Sequence, residues 1–300
     1  MANTIVIDST TIARMALETL YANTVMLPLV WKDFQDGFAK GQGDTVTIRK
    51  PATFTANTYN QSVGITKQNI TEASTTLTLD TLLDVSAAVT TYEMTLQLVD
   101  FQRQVLSPMM EALAQGVDST IITKMAAASW ANTVTAAPFN ASTYPNPTYD
   151  LIRAGRALDV AKVPMTNRQA VVDPYIYAQW KMDSLTLNAE KRADEGTALR
   201  DAEIGVIHGF DTFKSNNIAG SNSFKGWAFH PTAVAYASQP LELPKGAADA
   251  GSASYKGLTI RVVRDYDITY KSDVISIDIL FGVKVLDTNR GVLINGNADS

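Results

Sequence analysis

Alternating polar and apolar positions mark the first extended segments of the chain. In the stretch "DTVTIRKPATFTA", Val46 and Ile48 alternate with threonines, which is the period-two pattern of a half-exposed strand. A polar stretch follows, and alternation resumes in "TTLTLDTLLDVSAAVT". The pattern predicts a long two-stranded ribbon over residues 44–80, with its tip near residues 57–67.

A ribbon of this kind needs a partner surface. Two isolated strands are marginally stable in water, and their unpaired edges invite further pairing. The ribbon must therefore lie on its own domain or on a neighbouring molecule. The pattern leaves both possibilities open.

Three- and four-residue spacing predicts helices in the first half of the chain. Residues 10–26 form a short amphipathic pattern that ends at Pro28. Residues 93–128 are mostly helical, and Ser107 with Pro108 either starts the long helix or kinks it. The apolar stripe of this helix is predicted to lie in the core; it consists of Leu106, Met110, Leu113, Val117, Ile121 and Met125.

The rest of the chain turns from helices to strands. A helix from Tyr149 ends before Pro164, "RQAVVDP" is a short buried strand, and a helix restarts at Pro174. After residue 200, strand patterns alternate with Gly, Asn and Pro signals, and residues 243–257 are predicted to form a mobile surface loop. Helices precede most strands with little βαβ alternation, which indicates an α+β fold.

Composition narrows the function. Apolar residues make up 46% of the 300, enough for a sizeable core, whereas charged residues are only 18%. Low charge indicates that much of the surface is covered by other molecules, and a net charge of −5 argues against a dedicated nucleic-acid binder. The chain has no cysteine, which excludes disulfides and thiol catalysis. Neither a secretory signal nor a membrane-spanning stretch is expected.

Catalytic and cofactor-binding motifs do not match the sequence. It contains no phosphate-binding GxxxxGK[ST], no HExxH and no GxSxG. The two histidines are His208 and His230. His208 and Asp211 form either a catalytic pair or part of a strand, turn and strand. Gly209, which suits a turn, favours the second interpretation. No catalytic residue, metal ligand or cofactor is predicted.

Taken in order, the segments resemble the major capsid proteins of tailed bacteriophages, which have the Hong Kong 97-type capsid fold. "GDTVTIRKP" is similar to the first strand of that family's E-loop, "TTLTLDTLLDVSAAVTTYE" to its return strand, and "MEALAQGVDSTIITKMAA" to its spine helix. The most specific piece is Tyr149–Tyr177, where a helix, "VP", Arg168 and "VVDP" resemble the start of the A domain. "GFD" and "SNN" resemble the hairpin that follows, and the podovirus coat-protein branch is the nearest.

The resemblance implies a division of the chain. Its parts are an N-terminal arm with a short helix (1–43), the E-loop hairpin (44–80), the spine-helix region of the P domain (81–135), the main part of the A domain (136–235), P-domain strands with an A-domain loop (236–280), and an A-domain closing strand with the C-terminus (281–300).

The resemblance also implies a function. Copies of the chain are expected to form pentamers and hexamers in an icosahedral shell around double-stranded DNA, without sequence-specific DNA contacts. A separate scaffolding protein, a portal and, where one exists, a decoration protein are the expected partners, and the virion capsid, assembled in the host cytoplasm, is the expected location. Residues expected at subunit interfaces are Arg49, Lys50, Phe54, Tyr59 and Lys67 in the E-loop and Ile12 and Leu20 in the arm.

Two other functions stay open at this point. An encapsulin-like compartment shares the fold but holds a cargo enzyme instead of DNA. A hydrolase with a site near His208 and Asp211 is the third hypothesis.

Overall fold

Helices and sheets are assigned in a computed structural model. It describes residues 9–32, 44–50, 54–62, 64–65, 67–69, 73–90, 105–136, 147–182, 205–218, 225–255 and 258–296. The helices in these ranges are α1 (Ser9–Asn23), α2 (Ser107–Ala127), α3 (Tyr149–Val160) and α4 (Pro174–Lys181). The strands are β1 (Thr45–Lys50), β2 (Ala73–Thr78), β3 (Thr81–Thr90), β4 (Asn132–Ala136), β5 (Gln169–Val172), β6 (Val206–Ile207), β7 (Phe210–Lys214), β8 (Lys225–Phe229), β9 (Val234–Gln239), β10 (Asp249–Tyr255), β11 (Leu258–Asp267), β12 (Ser272–Val285) and β13 (Gly291–Gly296).

A five-stranded antiparallel sheet is organised around the 14-residue strand β12. The order is β10-β11-β12-β3, and β9 pairs with the second half of β12. One face of this sheet packs on α2, whose residues Leu113, Val117 and Ile121 are almost completely buried. Gly116 lets the helix approach β3 closely, because an added Cβ would lie 3.1 Å from Leu83. The predicted apolar stripe of the long helix is therefore confirmed as core.

A six-stranded mixed sheet forms the second layer. Its order is β4-β13-β8-β5-β7-β6, with parallel pairs β13/β4 and β5/β7. Helices α3 and α4 contribute Leu151, Leu158 and Trp180 to a core shared with this sheet. Asp173 caps α4 by accepting a hydrogen bond from the Ile176 amide at 3.0 Å, and the helix starts at Pro174 as predicted. The combination of helices and sheets confirms the α+β class.

The N-terminal segment is held against α2 by a buried carboxylate. Asp118, which is 1% exposed, accepts hydrogen bonds from the amides of Val25 at 2.7 Å and Met26 at 3.1 Å. Burial raises the pKa of Asp118 to about 6, although these amides and that of Leu27 lower it. A few residues later, the Trp31 amide donates to the carbonyl of Val234 at 2.9 Å, which attaches the segment to β9.

The sequence expectations for one helix and one loop can be compared with the structure. Helix α2 begins at Ser107, directly after the π-helical residues 105 and 106, and the predicted helical residues 93–104 lie outside the described residues. The prediction of a mobile loop over residues 243–257 is wrong for Asp249–Tyr255, which form the edge strand β10. Most residues of β10 are Ala, Gly or Ser, so the strand shows no alternation of polar and large apolar side chains. Strand β10 packs against α1.

Candidate functional site

The base of the predicted ribbon is anchored on the chain's own body. Strands β1 and β2 pair antiparallel, with Thr45 opposite Thr78 and Lys50 opposite Ala73. Ile48 and Leu77 point from this hairpin into a small core that includes Leu286 and alanines of β9. The sequence left open whether the ribbon lies on its own domain or on a neighbouring molecule. Its base packs on its own chain.

Two close contacts set the position of the base. The backbone of Thr78 passes so near to Gly282 on β12 that an added Cβ would lie 2.0 Å from the Thr78 carbonyl oxygen. The ammonium of Lys124, at the end of α2, lies 2.7 Å from the Asp80 carboxylate. This hydrogen bond with Lys124 holds the pKa of Asp80 below its usual value. A cavity of about 450 Å³ separates the hairpin from the end of α2 beside this ion pair.

The tip of the hairpin is exposed. Phe54 is 63% exposed, Tyr59 is 68% exposed and Ile65 is 81% exposed, although all three are large apolar side chains. Lys67 is also exposed. Because three large apolar side chains are exposed within this one connection between β1 and β2, it is a candidate contact surface.

Local polar contacts shape this tip. The Thr55 amide donates to Gln68 Oε1 at 2.9 Å, and the Gln68 side chain donates back to the Thr55 carbonyl. The Gly64 amide donates to the Asn60 carbonyl at 2.8 Å, and Gly64 adopts a φ of 80°. The tip therefore has a defined turn that presents its apolar side chains outward.

The predicted interface residues fall into two groups. Phe54, Tyr59 and Lys67 are each exposed in the connection between β1 and β2. Arg49 and Lys50 lie at the end of β1, opposite Ser74 and Ala73.

The arm residues are a correction. Ile12 is 5% exposed and Leu20 is 0% exposed, and both belong to the main core of their own chain. Helix α1 packs on α2, β10 and β11, which cover these two side chains. The resemblance implied an interface role for Ile12 and Leu20, whereas in the structure both side chains are covered by their own chain.

His208 lies in the hairpin turn between β6 and β7, and Asp211 lies on β7 opposite Val206. His208 has a φ of 50° and Gly209 a φ of 82°, as a tight two-residue turn between antiparallel strands requires. Both polar side chains are exposed. The strand, turn and strand interpretation is confirmed.

The second histidine also has a local role. His230 Nδ1 lies 2.8 Å from the hydroxyl of Thr232, at the start of a 3-10 turn. Burial lowers the pKa of His230, and the nearby cations Arg290 and Arg168 lower it further. No cluster of three or more metal-ligating side chains occurs among the described residues.

Arg168, which the resemblance singled out, holds a loop together. Its guanidinium is buried and donates to the carbonyls of Val163 at 2.8 Å and Pro164 at 2.9 Å. It also pairs with Asp159 at 2.7 Å. Arg168 therefore shapes the connection between α3 and β5.

A second exposed turn escaped the sequence reasoning. At the end of the β11–β12 hairpin, Ile268 and Tyr270 are about four-fifths exposed. The Asp267 carboxylate orders this turn by accepting hydrogen bonds from the amides of Thr269 at 2.8 Å and Tyr270 at 3.3 Å. The signal was present as apolar residues next to a turn-forming aspartate.

The described helices do not include one long and apolar enough to cross a bilayer.

Solved structures share this fold. A chain from Mycobacterium phage Che8 superposes with a TM-score of 0.66 at 21% identity, covering 90% of each chain. The capsid structure of cyanophage P-SCSP1u gives a TM-score of 0.60 at 15% identity, covering 86% of this chain and 85% of the other. The virus-like particle from Pyrococcus furiosus gives 0.54 at 10% identity, covering 94% and 97%. No family model and no curated protein matches the sequence.

These superpositions define the fold. Because they extend over most of both chains, this chain has the fold of phage capsid proteins. The fold expected from the sequence resemblance is confirmed.

Proposed function

We propose that this chain is a major capsid protein that forms pentamers and hexamers in an icosahedral shell around double-stranded DNA. The shared fold with the cyanophage P-SCSP1u capsid supports this function. The observation that carries it furthest is the hairpin, which has a base anchored in the chain's own core and a tip with exposed Phe54, Tyr59 and Ile65.

The hairpin geometry favours a contact with a second copy. The tip presents apolar side chains away from the base. The tip of one copy would therefore bind a different surface of the next copy. Such a head-to-tail contact closes into rings when the rotation between copies is right. Several such contacts per subunit then hold the shell more firmly than any one of them.

The proposed domains follow the observed layers. We assign residues 44–80 to the E-loop, α2 and the five-stranded sheet to the P domain, and most of the six-stranded sheet to the A domain. The shell would enclose DNA without sequence-specific contacts. A separate scaffolding protein and a portal would take part in assembly in the host cytoplasm, and the chain would carry no active site.

An encapsulin-like compartment is the second candidate. The superposition on the virus-like particle from Pyrococcus furiosus supports it. The contents of purified particles separate the two functions: DNA supports the capsid, whereas a single co-purifying enzyme in place of nucleic acid supports the compartment.

Deletion of residues 57–67 tests the proposed function. The deletion removes the exposed Tyr59 and Ile65, keeps Phe54, and leaves the buried base residues Ile48 and Leu77 in place, so the subunit should fold. We expect electron microscopy to show few closed shells, with the assembly threshold raised about tenfold or more, because burial of one large apolar side chain contributes about 1.5–3 kcal/mol.

A pair of point variants provides the matched comparison. Ile65→Asp changes the tip, whereas Leu243→Asp changes an exposed apolar side chain outside the hairpin. Only Ile65→Asp should impair assembly. Shells of normal yield and stability from both the deletion and Ile65→Asp would contradict the assignment of the tip to an interface.

A further inference from the structure

Asp118 connects two parts of the chain that are far apart in sequence. It lies in the middle of α2, and its partners Val25 and Met26 lie 93 and 92 residues earlier. Residues 24–31, called here the docked segment, contain no charged residue. Within the part of the chain that the structure describes, the partners of the carboxylate are neutral backbone amides of this segment.

The charged side chains of the surrounding elements lie elsewhere. On β3 and β12, the residues that face α2 are apolar, among them Leu83 and Ile277, so the charged neighbours in the register lie on the opposite face of the sheet. Among the described residues, the groups that shift the pKa of Asp118 are backbone amides and no charged side chain. The described charged residues of the elements packed around it are Arg14 on α1, Glu111 and Lys124 on α2, Asp84 on β3, Arg261, Arg264, Asp265 and Asp267 on β11, and Asp273, Asp278 and Lys284 on β12.

We propose that Asp118 makes the docked segment bind α2 more strongly in mild acid than at neutral pH. An ionised carboxylate without a cation is costly to bury. Protonation removes this charge, and the remaining carbonyl oxygen still accepts an amide. When the segment leaves α2, Asp118 returns to water and regains the ordinary preference of a carboxyl for ionisation.

The direction follows from the proton balance. The docked form has a raised pKa of about 6, against 3.8 for an aspartate in water, so it binds a proton at a pH where the undocked form does not. The contribution to docking is complete below the lower value and is lost as pH rises through the higher one. Between pH 7.5 and pH 5.0 the docking equilibrium should strengthen about tenfold.

Hydrogen exchange on the full chain tests this proposal. The measured quantity is the protection of amides in residues 24–31 at pH 7.5 and pH 5.0, each corrected for the intrinsic exchange rate at that pH. The wild-type protein should gain about tenfold protection at the lower pH, while Asp118→Asn should show little change. Asp150→Asn is the matched control: Asp150 is also buried, with its pKa raised to about 6, but it lies on α3. This variant should keep the wild-type response of the docked segment.

The wild-type measurement alone can overturn the proposal. Equal or lower protection at pH 5.0 would do so, whether or not Asp118→Asn folds. The same gain in Asp118→Asn as in the wild type would assign the effect to another group. None of these outcomes depends on the proposed capsid function, because each is measured on the subunit.

Discussion

Gly282→Ala tests whether a single close approach sets the position of the exposed hairpin. In the structure, the added methyl would lie 2.0 Å from the Thr78 carbonyl oxygen and 2.8 Å from its carbonyl carbon. Both atoms belong to the backbone where β2 ends. A rotamer change therefore cannot relieve the collision, and one of the two strands must move.

The required movement can be worked out from these distances. A Cβ needs at least about 3.0 Å, so the hairpin base must retreat from β12 by about 1 Å. Overpacking of this kind costs about 1–3 kcal/mol. Since β2 is six residues long and spans about 20 Å, a tilt at its base also displaces the distant tip. We expect assembly to fall more than subunit stability.

Urea unfolding and electron microscopy of assembled protein measure the two effects. Gly246→Ala is the control, because a Cβ there meets nothing within 4 Å. It should behave as the wild type in both assays. If Gly282→Ala keeps both its unfolding midpoint and its yield of closed shells, the close approach does not control the hairpin.

Two further predictions concern the subunit alone. Val117→Asp should prevent folding, since an unpaired carboxylate at this completely buried site costs several kcal/mol. Circular dichroism checks this prediction. The control Ser119→Asp, on the exposed side of α2, should fold. Asp150, whose pKa burial raises to about 6, contributes stability that is complete below about pH 4 and lost as pH rises through 6. The wild type should therefore gain about 2–3 kcal/mol of stability between pH 7.5 and pH 4 that Asp150→Asn does not gain. Urea unfolding at both pH values measures this gain, and an equal gain in the wild type and in Asp150→Asn would refute the prediction.

Periodicity predicted those parts of the fold in which burial repeats regularly. The three- and four-residue spacing around Leu113 and Val117 found α2, because one face of a helix meets the sheet. The alternation around Ile48 and Leu77 found the hairpin, because one face of each strand is buried at its base. The tip residues Phe54 and Tyr59 came from the family resemblance, and the structure places them on the surface.

Other features depend on contacts that a pattern does not contain. The pairing of Asp118 with residues 25 and 26 crosses more than 90 positions, and a lone aspartate in an apolar stripe gives no partner. The approach of Thr78 to Gly282 joins residues that are still farther apart in sequence. Ile12 and Leu20 show the same limit, since their spacing indicated a covered face but not that their own chain covers it.

The position of β13 has a consequence for the timing of synthesis. This strand, residues 291–296, lies between β4 and β8 and is the link that joins β4 to the rest of the six-stranded sheet. Until residues 291–296 have been synthesised, β4 has no partner through which to join this sheet, and β8 keeps one open edge. A chain whose synthesis stops before β13 therefore exposes unpaired strand edges, which invite pairing with another molecule.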